Sequence, residues 1–184
     1  MPIKARPTLD EEGGKSGDST TESQEVCVEQ QVPPLSISLR KVLVPLDFSE
    51  CACHALRYAA AFAGKVGASL VLLHVVEPAV GGDHYLTLSP TLDDTNQQLV
   101  EAGRERLETL CQRQVCRQLS CETLVRLGWA ASEIVDTARA LGADLIIMGT
   151  HGRSGLKHVL LGSTAEKVVR QAPCPVLTLR HPGQ

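Results

Sequence analysis

Glycine and hydroxyl residues in the C-terminal half of the chain are spaced as a phosphate-binding loop requires. The segment Gly149–Gly152 (GTHG) follows the apolar run 143–148, and the segment Gly162–Thr164 (GST) comes directly before a helical pattern. Glycine lets the backbone approach an anion closely, and the amides at a helix N-terminus carry partial positive charge. The spacing therefore predicts a nucleotide-binding loop between a buried strand and a helix.

Each candidate residue also has a purely structural interpretation, which the sequence leaves open. The glycines would also serve to end secondary structure. Asp47, at the end of the first predicted strand, would also cap the helix that follows it, and Ser163 would act as the N-cap of the last helix. The capping and ligand roles of Ser163 are compatible, because a capped N-terminus still presents free amides. For His151 we expect a backbone-positioning or surface role rather than acid or metal chemistry.

The composition is that of an ordinary globular protein. The chain has 184 residues, 43% of them hydrophobic and 21% charged, which predicts one domain with a tail. No apolar run approaches the roughly 20 residues that a bilayer span needs, and the N-terminus lacks the apolar core of a signal peptide. We therefore expect a cytoplasmic protein that does not bind membranes.

Charge is concentrated at the N-terminus. Residues 1–38 carry three Lys/Arg against seven Asp/Glu, and the net charge of the whole chain is −3. This segment has few large apolar residues to offset the entropy cost of ordering, so it is predicted to be a disordered acidic tail. The remaining domain, residues 39–184, is nearly neutral and lacks the clear basic excess of a nucleic-acid-binding protein.

Seven cysteines, an odd number without a secretory signal, favour reduced thiols over a disulfide framework. Cys51 and Cys53 fall on one predicted helix, where an offset of two residues turns their side chains about 200° apart and prevents them from sharing a metal ion. Most of the cysteines are predicted to be small buried hydrophobic residues. Cys116 and Cys121 are the more exposed candidates for oxidation.

The hydrophobic pattern alternates between strands and helices. Strands are predicted at 42–46, 68–76, 122–127, 143–148 and 176–179, and helices at 49–66, 130–141, 163–171 and over about 25 residues from Asp93. Leu99, Leu107 and Leu110 are expected on the inner face of the long helix, and Trp129 is expected to pack the next helix against the sheet. This alternation predicts an α/β fold with an open, doubly wound, mostly parallel five-stranded sheet and helices on both faces.

Several segments together resemble the universal stress protein family, specifically its ATP-binding branch with the pattern G-x2-G-x9-G-[ST]. They are the stretch 42–49 (VLVPLDFS), the stretch 73–75 (LHV) and the whole stretch 145–179. The resemblance covers roughly residues 39–180 in collinear order, which makes it more specific than a lone glycine pattern. It implies the strand order 3-2-1-4-5 and a homodimer, and the strand Val176–Leu179 at the sheet edge offers unpaired amides for pairing with its symmetry mate.

The resemblance also implies ATP in the crevice between the first and fourth strands, with Mg²⁺ or Mn²⁺ held by the phosphates rather than by side chains. By this analogy Val75 gives backbone hydrogen bonds to adenine, while Pro45 and Asp47 border the nucleoside. The segment Gly149–Gly152 lies near the ribose and phosphates. The phosphate-binding set implied by the family is Gly149, Thr150, His151, Gly152, Arg153, Ser154, Gly155, Gly162, Ser163 and Thr164, and Lys157 would add charge.

Three functions follow from this pattern. The first is an ATP-binding regulatory protein of the stress response, a nucleotide-sensing dimer. The second is a slow ATP hydrolase, for which the sequence offers no convincing base, since Asp47 alone is insufficient. The third is a dimerisation module that needs no nucleotide, against which the spaced glycines argue. We predict the first, without catalytic residues.

Overall fold

The computed structural model describes residues 38–78, 90–115, 119–152 and 161–180. All of them belong to one compact unit, Ile37–Gln184. The predicted acidic tail therefore lies outside the described residues, except for Ser38.

A single parallel sheet organises the domain. Within the described ranges, its five strands lie in the order β3-β2-β1-β4-β5, and four helices connect them. The predicted α/β fold and strand order are thus confirmed. In chain order the elements are β1 (Lys41–Pro45), α1 (Glu50–Val66), β2 (Ser69–Val76), α2 (Pro90–Gln114), β3 (Cys121–Leu127), α3 (Ala130–Leu141), β4 (Leu145–Gly149), α4 (Ser163–Gln171) and β5 (Val176–Leu179).

Helices cover both faces of the sheet, which explains why its central strands are apolar without alternation. Val42 and Val44 of β1 pack on one face with residues of α1 and α2. Leu43, which points the other way, packs with residues of α3 and α4 on the opposite face. Because successive side chains of a strand alternate between faces, a strand that is covered on both sides requires a continuous apolar run.

Local signals fix helix α1 at both ends. Ser49 is its N-cap and its side chain accepts a hydrogen bond from the amide of Ala52 at 3.2 Å, as predicted. Gly67 ends the helix in the left-handed conformation, with φ of 70°, which glycine adopts without steric cost. Small residues such as Ala55 and Ala59 are fully buried on its inner face, so the helix lies close to the sheet.

Two predicted packing roles are wrong. Leu99 of α2 is 44% exposed, whereas Leu107 is fully buried and Leu110 packs against the core. Trp129 is 61% exposed and occupies the N-cap position of α3, where the turn from β3 leaves its indole outside the sheet–helix contact.

Helix α2 begins at Pro90, three residues before the predicted start. Proline is suited to the first turn of a helix because the amide hydrogen that it lacks would have no partner there. None of the helices in the described ranges has the length and apolar character of a membrane span.

Candidate functional site

A cleft of about 680 Å³ opens at the carboxyl ends of β1, β2 and β4. Its walls come from segments that are far apart in sequence: residues 45–48, 73–77, 148–152 and 162–165, together with parts of α2 and α3. The chain reverses its direction of strand addition between β1 and β4. This is the position at which open α/β sheets bind ligands, and the volume is typical of a small-molecule site.

Ten of the predicted site residues line this cleft. They are Pro45, Asp47, Val75, Gly149, Thr150, His151, Gly152, Gly162, Ser163 and Thr164. Arg153, Ser154, Gly155 and Lys157 lie outside the described residues. The ligand roles of all these residues stay predictions.

Asp47, just after β1, lies against the glycine segment, Gly149–Gly152. Its Oδ1 accepts a hydrogen bond from the amide of Ser49 at 3.0 Å, which fixes the turn before α1, while Ser49 itself is the N-cap. A Cβ atom placed on Gly152 would lie 2.7 Å from Oδ2 of Asp47. The carboxylate is therefore held by the turn on one side and lies directly against the glycine backbone on the other.

Gly149 has a packing reason to be glycine. A Cβ at this position would lie 2.8 Å from Sγ of Cys51 and 3.1 Å from the backbone carbonyl carbon of the same residue. The absent side chain thus allows the end of β4 to lie against the first turn of α1. This contact brings the turn after β1 and the segment after β4 to the same edge of the cleft.

The N-terminus of α4 faces the cleft and is capped by Gly162, not by Ser163 as predicted. The amide of Gly162 donates to the carbonyl of Thr150 at 2.8 Å, and the first helical hydrogen bond runs from Glu166 to Gly162. Within the described residues no side chain caps this helix. The amides of Ser163, Thr164 and Ala165 precede the first helical bond, and they form the kind of N-terminus that binds anions.

Backbone atoms of β2 also face the cleft. The carbonyl of Leu73 accepts a hydrogen bond from the amide of Leu46, so the polar backbone atoms of Leu73 point toward β1. Val75, two residues later, points its amide and carbonyl the same way, but β1 has already ended at Pro45. Val75 thus offers one donor and one acceptor beyond the end of the neighbouring strand, as the edge of a planar heterocycle requires.

Thr150 and His151 form a small polar group at the bottom of the glycine segment. Oγ1 of Thr150 lies 3.0 Å from Nδ1 of His151 and 3.9 Å from Sγ of Cys51. The amide of Thr150 donates to the carbonyl of Leu179 at 2.9 Å. The segment is therefore held to the edge strand β5, and His151 is oriented by its neighbour.

An aromatic and cationic group on the α2 side was missed by the sequence analysis, which assigned no role to His74. Its Nδ1 lies 2.7 Å from the carbonyl oxygen of Leu46, and its ring is 4.5 Å from that of Phe48. Arg106 of α2 lies over the Phe48 ring, with its Cζ 4.2 Å from the ring centroid. This distance is in the range of a cation–π contact. All three side chains line the cleft.

Phe48 adopts a left-handed backbone conformation, with φ of 65°, which is uncommon and strained for a bulky residue. The contacts with His74 and Arg106 hold it there. One sequence signal pointed to this group: Gly103 interrupts the middle of a long helix, where glycine is unfavourable. A Cβ on Gly103 would lie 2.8 Å from Cδ2 of His74, so the glycine makes room for the imidazole.

In the described part of the chain, no group of three or more His, Cys, Asp or Glu side chains is arranged to hold a metal ion. The site thus combines a backbone donor–acceptor pair, a carboxylate, glycine backbone and a helix N-terminus. These are the groups that recognise a base, a hydroxyl-bearing sugar and phosphates.

The chain is similar in sequence and fold to known proteins. The model of the universal stress protein family matches residues 38–180. Universal stress protein MJ0531 of Methanocaldococcus jannaschii is 34% identical over 145 residues, which are 78% of this chain and 83% of that protein. The solved structure of MJ0577 from the same organism is 29% identical, covers 80% of this chain and all of its own, and superposes with a TM-score of 0.69. A universal stress protein solved in complex with cAMP, 20% identical with a TM-score of 0.52 over 78% of this chain and 98% of its own, shares the fold.

Proposed function

This chain belongs to the universal stress protein family, and on that premise we propose that it binds ATP in the cleft and acts as a nucleotide-sensing regulatory protein in a stress response. The observation that carries the proposal is the meeting of Asp47, Gly152 and the N-terminus of α4 in one cleft. The large share of backbone donors and acceptors in the site supports a regulatory role rather than catalysis.

Adenine would lie against the end of β2. The outward amide and carbonyl of Val75 supply a donor and an acceptor for the edge of the base, and the half-buried Val75 side chain adds an apolar contact. The carboxylate of Asp47 would accept a hydrogen bond from a ribose hydroxyl, with Pro45 forming the adjacent wall. Oδ1 of Asp47 accepts from Ser49, and Oδ2, which lies against Gly152, is the oxygen that we assign to the ribose hydroxyl.

The phosphates would lie at the N-terminus of α4. The amides that follow Gly162 and the hydroxyls of Ser163 and Thr164 are suitable donors, and the helix dipole favours the negative charge. A Mg²⁺ or Mn²⁺ ion would be carried by the phosphates and by water. When bound, that cation would neutralise phosphate charge, and Asp47, which lines the cleft at the end of β1, would accept hydrogen bonds from its water shell.

We also propose that the protein forms a homodimer through β5. This strand lies at the edge of the sheet. The carbonyls of Pro175 and Leu179 accept hydrogen bonds from β4 and from the segment after it, so the odd-numbered residues point their polar backbone atoms inward. Val176 and Thr178 therefore point theirs outward, where a second copy would pair with them. Because Leu179 also accepts from Thr150, this edge is connected to the glycine segment.

The test is a calorimetric titration of ATP and magnesium into nucleotide-free protein, compared with the variants Ser163→Asp and Ser163→Asn. Ser163 is exposed in the first turn of α4. An aspartate there suits the helix dipole and keeps α4 stable, but it places a negative charge where the phosphates would bind. Asparagine has nearly the same shape without the charge.

We expect wild-type protein to bind ATP, Ser163→Asp to bind at least about tenfold more weakly, and Ser163→Asn to stay close to wild type. Equal affinity of the aspartate variant would refute the phosphate position, and no binding by wild type would refute the nucleotide site altogether. Adenosine, AMP and cAMP in the same titration test which part of the ligand contributes affinity. Release of inorganic phosphate over hours would replace the regulatory role by slow hydrolysis.

A further inference from the structure

Two cysteines outside the cleft lie unusually close together. Sγ of Cys111 and Sγ of Cys121 are 2.9 Å apart. Cys111 belongs to the last turn and a half of α2 and Cys121 is the first residue of β3, so the contact joins a helix to the edge strand on which it packs. A disulfide bond has an S–S length of about 2.05 Å. Bond formation therefore requires an approach of only about 0.9 Å.

The surroundings make one of these thiols accessible and protect the other. Cys111 is 3% exposed and faces the core from α2. Cys121 is half-buried at the start of β3, and its sulfur also lies 3.9 Å from the carbonyl of Glu122. An oxidant arriving from solvent therefore meets Cys121 first, and the sulfur that can respond to a reaction there is that of Cys111.

We propose that Cys111 and Cys121 form an oxidisable dithiol that a peroxide converts into an intramolecular disulfide. The Cys121 thiolate attacks one peroxide oxygen, the O–O bond breaks, and a sulfenic acid forms with release of one water or alcohol. The Cys111 sulfur then attacks the sulfenyl sulfur, the S–O bond breaks, and a second water leaves as the S–S bond forms. The two thiols lose two electrons and two protons, and the peroxide takes up both.

The reaction has a structural consequence that is independent of nucleotide binding. The disulfide would close a loop between residues ten positions apart and would join the C-terminal end of α2 covalently to β3. Such cross-links stabilise chiefly by restricting the unfolded chain. We expect the thermal midpoint to rise by roughly 5 °C on oxidation and to return on addition of dithiothreitol.

Trypsin separates the relevant cysteines, because cleavage after Arg106, Arg113, Arg117 and Arg126 places Cys111, Cys116 and Cys121 on three different peptides. The experiment treats the full, reduced chain with a small molar excess of hydrogen peroxide, blocks remaining thiols with iodoacetamide, and identifies linked peptides by mass spectrometry. The expected product joins peptides 107–113 and 118–126, with a mass two hydrogens below their sum.

The variants Cys111→Ser and Cys116→Ser separate this pair from other pairings. Cys116→Ser should still form the 111–121 link and show the rise in thermal midpoint. Cys111→Ser should lose both and accumulate dimedone-reactive sulfenic acid at Cys121, since the second sulfur is missing. A dominant link through Cys116, a link that forms only between chains, or unreacted thiols at Cys111 and Cys121 in wild-type protein would each overturn the proposal.

Discussion

Gly152 lies directly against Asp47, so closely that a Cβ atom on the glycine would be 2.7 Å from Oδ2 of the aspartate. Two predicted strand ends, more than a hundred residues apart in sequence, thus meet in one contact. Asp47 cannot move away freely, because its other oxygen accepts a hydrogen bond from Ser49 at 3.0 Å. The pair therefore defines the position at which a sugar hydroxyl and a phosphate would both have to fit.

The first prediction concerns Gly152→Ala. The added methyl group displaces the carboxylate of Asp47, and we expect ATP affinity to fall about tenfold or more, equivalent to about 1.4 kcal/mol or more. We also expect a moderate loss of stability, because the displaced carboxylate disturbs the hydrogen bond that Asp47 accepts from Ser49; the exposure of Gly152 and the absence of a positive φ keep this loss small enough for the variant to fold. Calorimetry measures the affinity and a thermal melt measures the stability. A variant that binds ATP like wild type would show that Asp47 and Gly152 do not border the ligand.

The second prediction concerns Gly64→Ala, which also serves as the matched control for Gly152→Ala. Gly64 lies in the last turn of α1, and its new methyl group would meet Leu119 at an ordinary contact distance of 3.7 Å. Alanine is favoured over glycine in helices by about 0.5–1 kcal/mol. We expect a gain of this size in the free energy of unfolding, measured by urea denaturation, with ATP binding unchanged. A loss of stability would contradict this contact geometry at Gly64.

The third prediction concerns Gly103→Ala, for which we expect a change in stability of the opposite sign, although Gly103 is also helical. Helix propensity alone would favour Gly103→Ala, but the methyl group would lie 2.8 Å from the imidazole of His74. That ring is held by Leu46 and Phe48, so it cannot move without losing those contacts. We expect a net destabilisation of about 1 kcal/mol by urea denaturation. A stabilised variant would show that His74 moves freely.

The fourth prediction follows from Asp144, which joins β1 to the turn before β4. Hydrogen bonds from the amides of Arg40 and Lys41, at 2.8 and 2.9 Å, lower the pKa of this carboxyl below its ordinary value. Because the folded-state pKa is lowered, the carboxylate stabilises the fold above the unfolded-state pKa, and this stabilisation is lost as the pH falls through the folded-state pKa.

We therefore expect Asp144→Ala to be less stable than wild type at pH 7 and the difference to shrink progressively below about pH 4. Thermal melts between pH 2.5 and 7 measure it. Asp136→Ala is the matched control, because Asp136 pairs only with the exposed Arg139 at 2.7 Å among the contacts described, and surface pairs contribute little. An Asp144→Ala deficit that stays constant across this pH range would contradict the assignment.

The fifth prediction tests the proposed dimer edge with Thr178→Pro. Proline removes one outward-pointing amide of β5 but leaves the bonds that Pro175 and Leu179 accept from the β4 side, and proline is tolerated on edge strands. We expect sedimentation velocity to show dimers for wild type and monomers for the variant, with similar circular dichroism. An unchanged dimer mass with a folded spectrum would exclude pairing through β5.

Much of the fold was determined by the sequence. Apolar runs such as those of β1 and β2 predict strands buried on both faces, because burial sets the hydrophobic pattern directly. Ser49 and Gly67 mark the ends of α1 by local chemistry that needs no distant partner. The spaced glycines and the segment around Asp47 likewise predicted the cleft residues that the structure brings together. The polar tail, residues 1–38, stays a prediction.

Only the tertiary structure decided which side chains meet. Nothing in the local pattern indicates that the absent side chain of Gly149 makes room for Cys51. Gly103 is a local signal for an unusual contact on α2, but it does not show that Phe48 is held in a strained conformation between His74 and Arg106. The same limit explains the error at Trp129, since a turn residue is buried or exposed according to the elements around it. Local periodicity and capping depend on near neighbours in the chain. These contacts depend instead on the spatial order of the strands in the sheet and on the angle at which the helices pack.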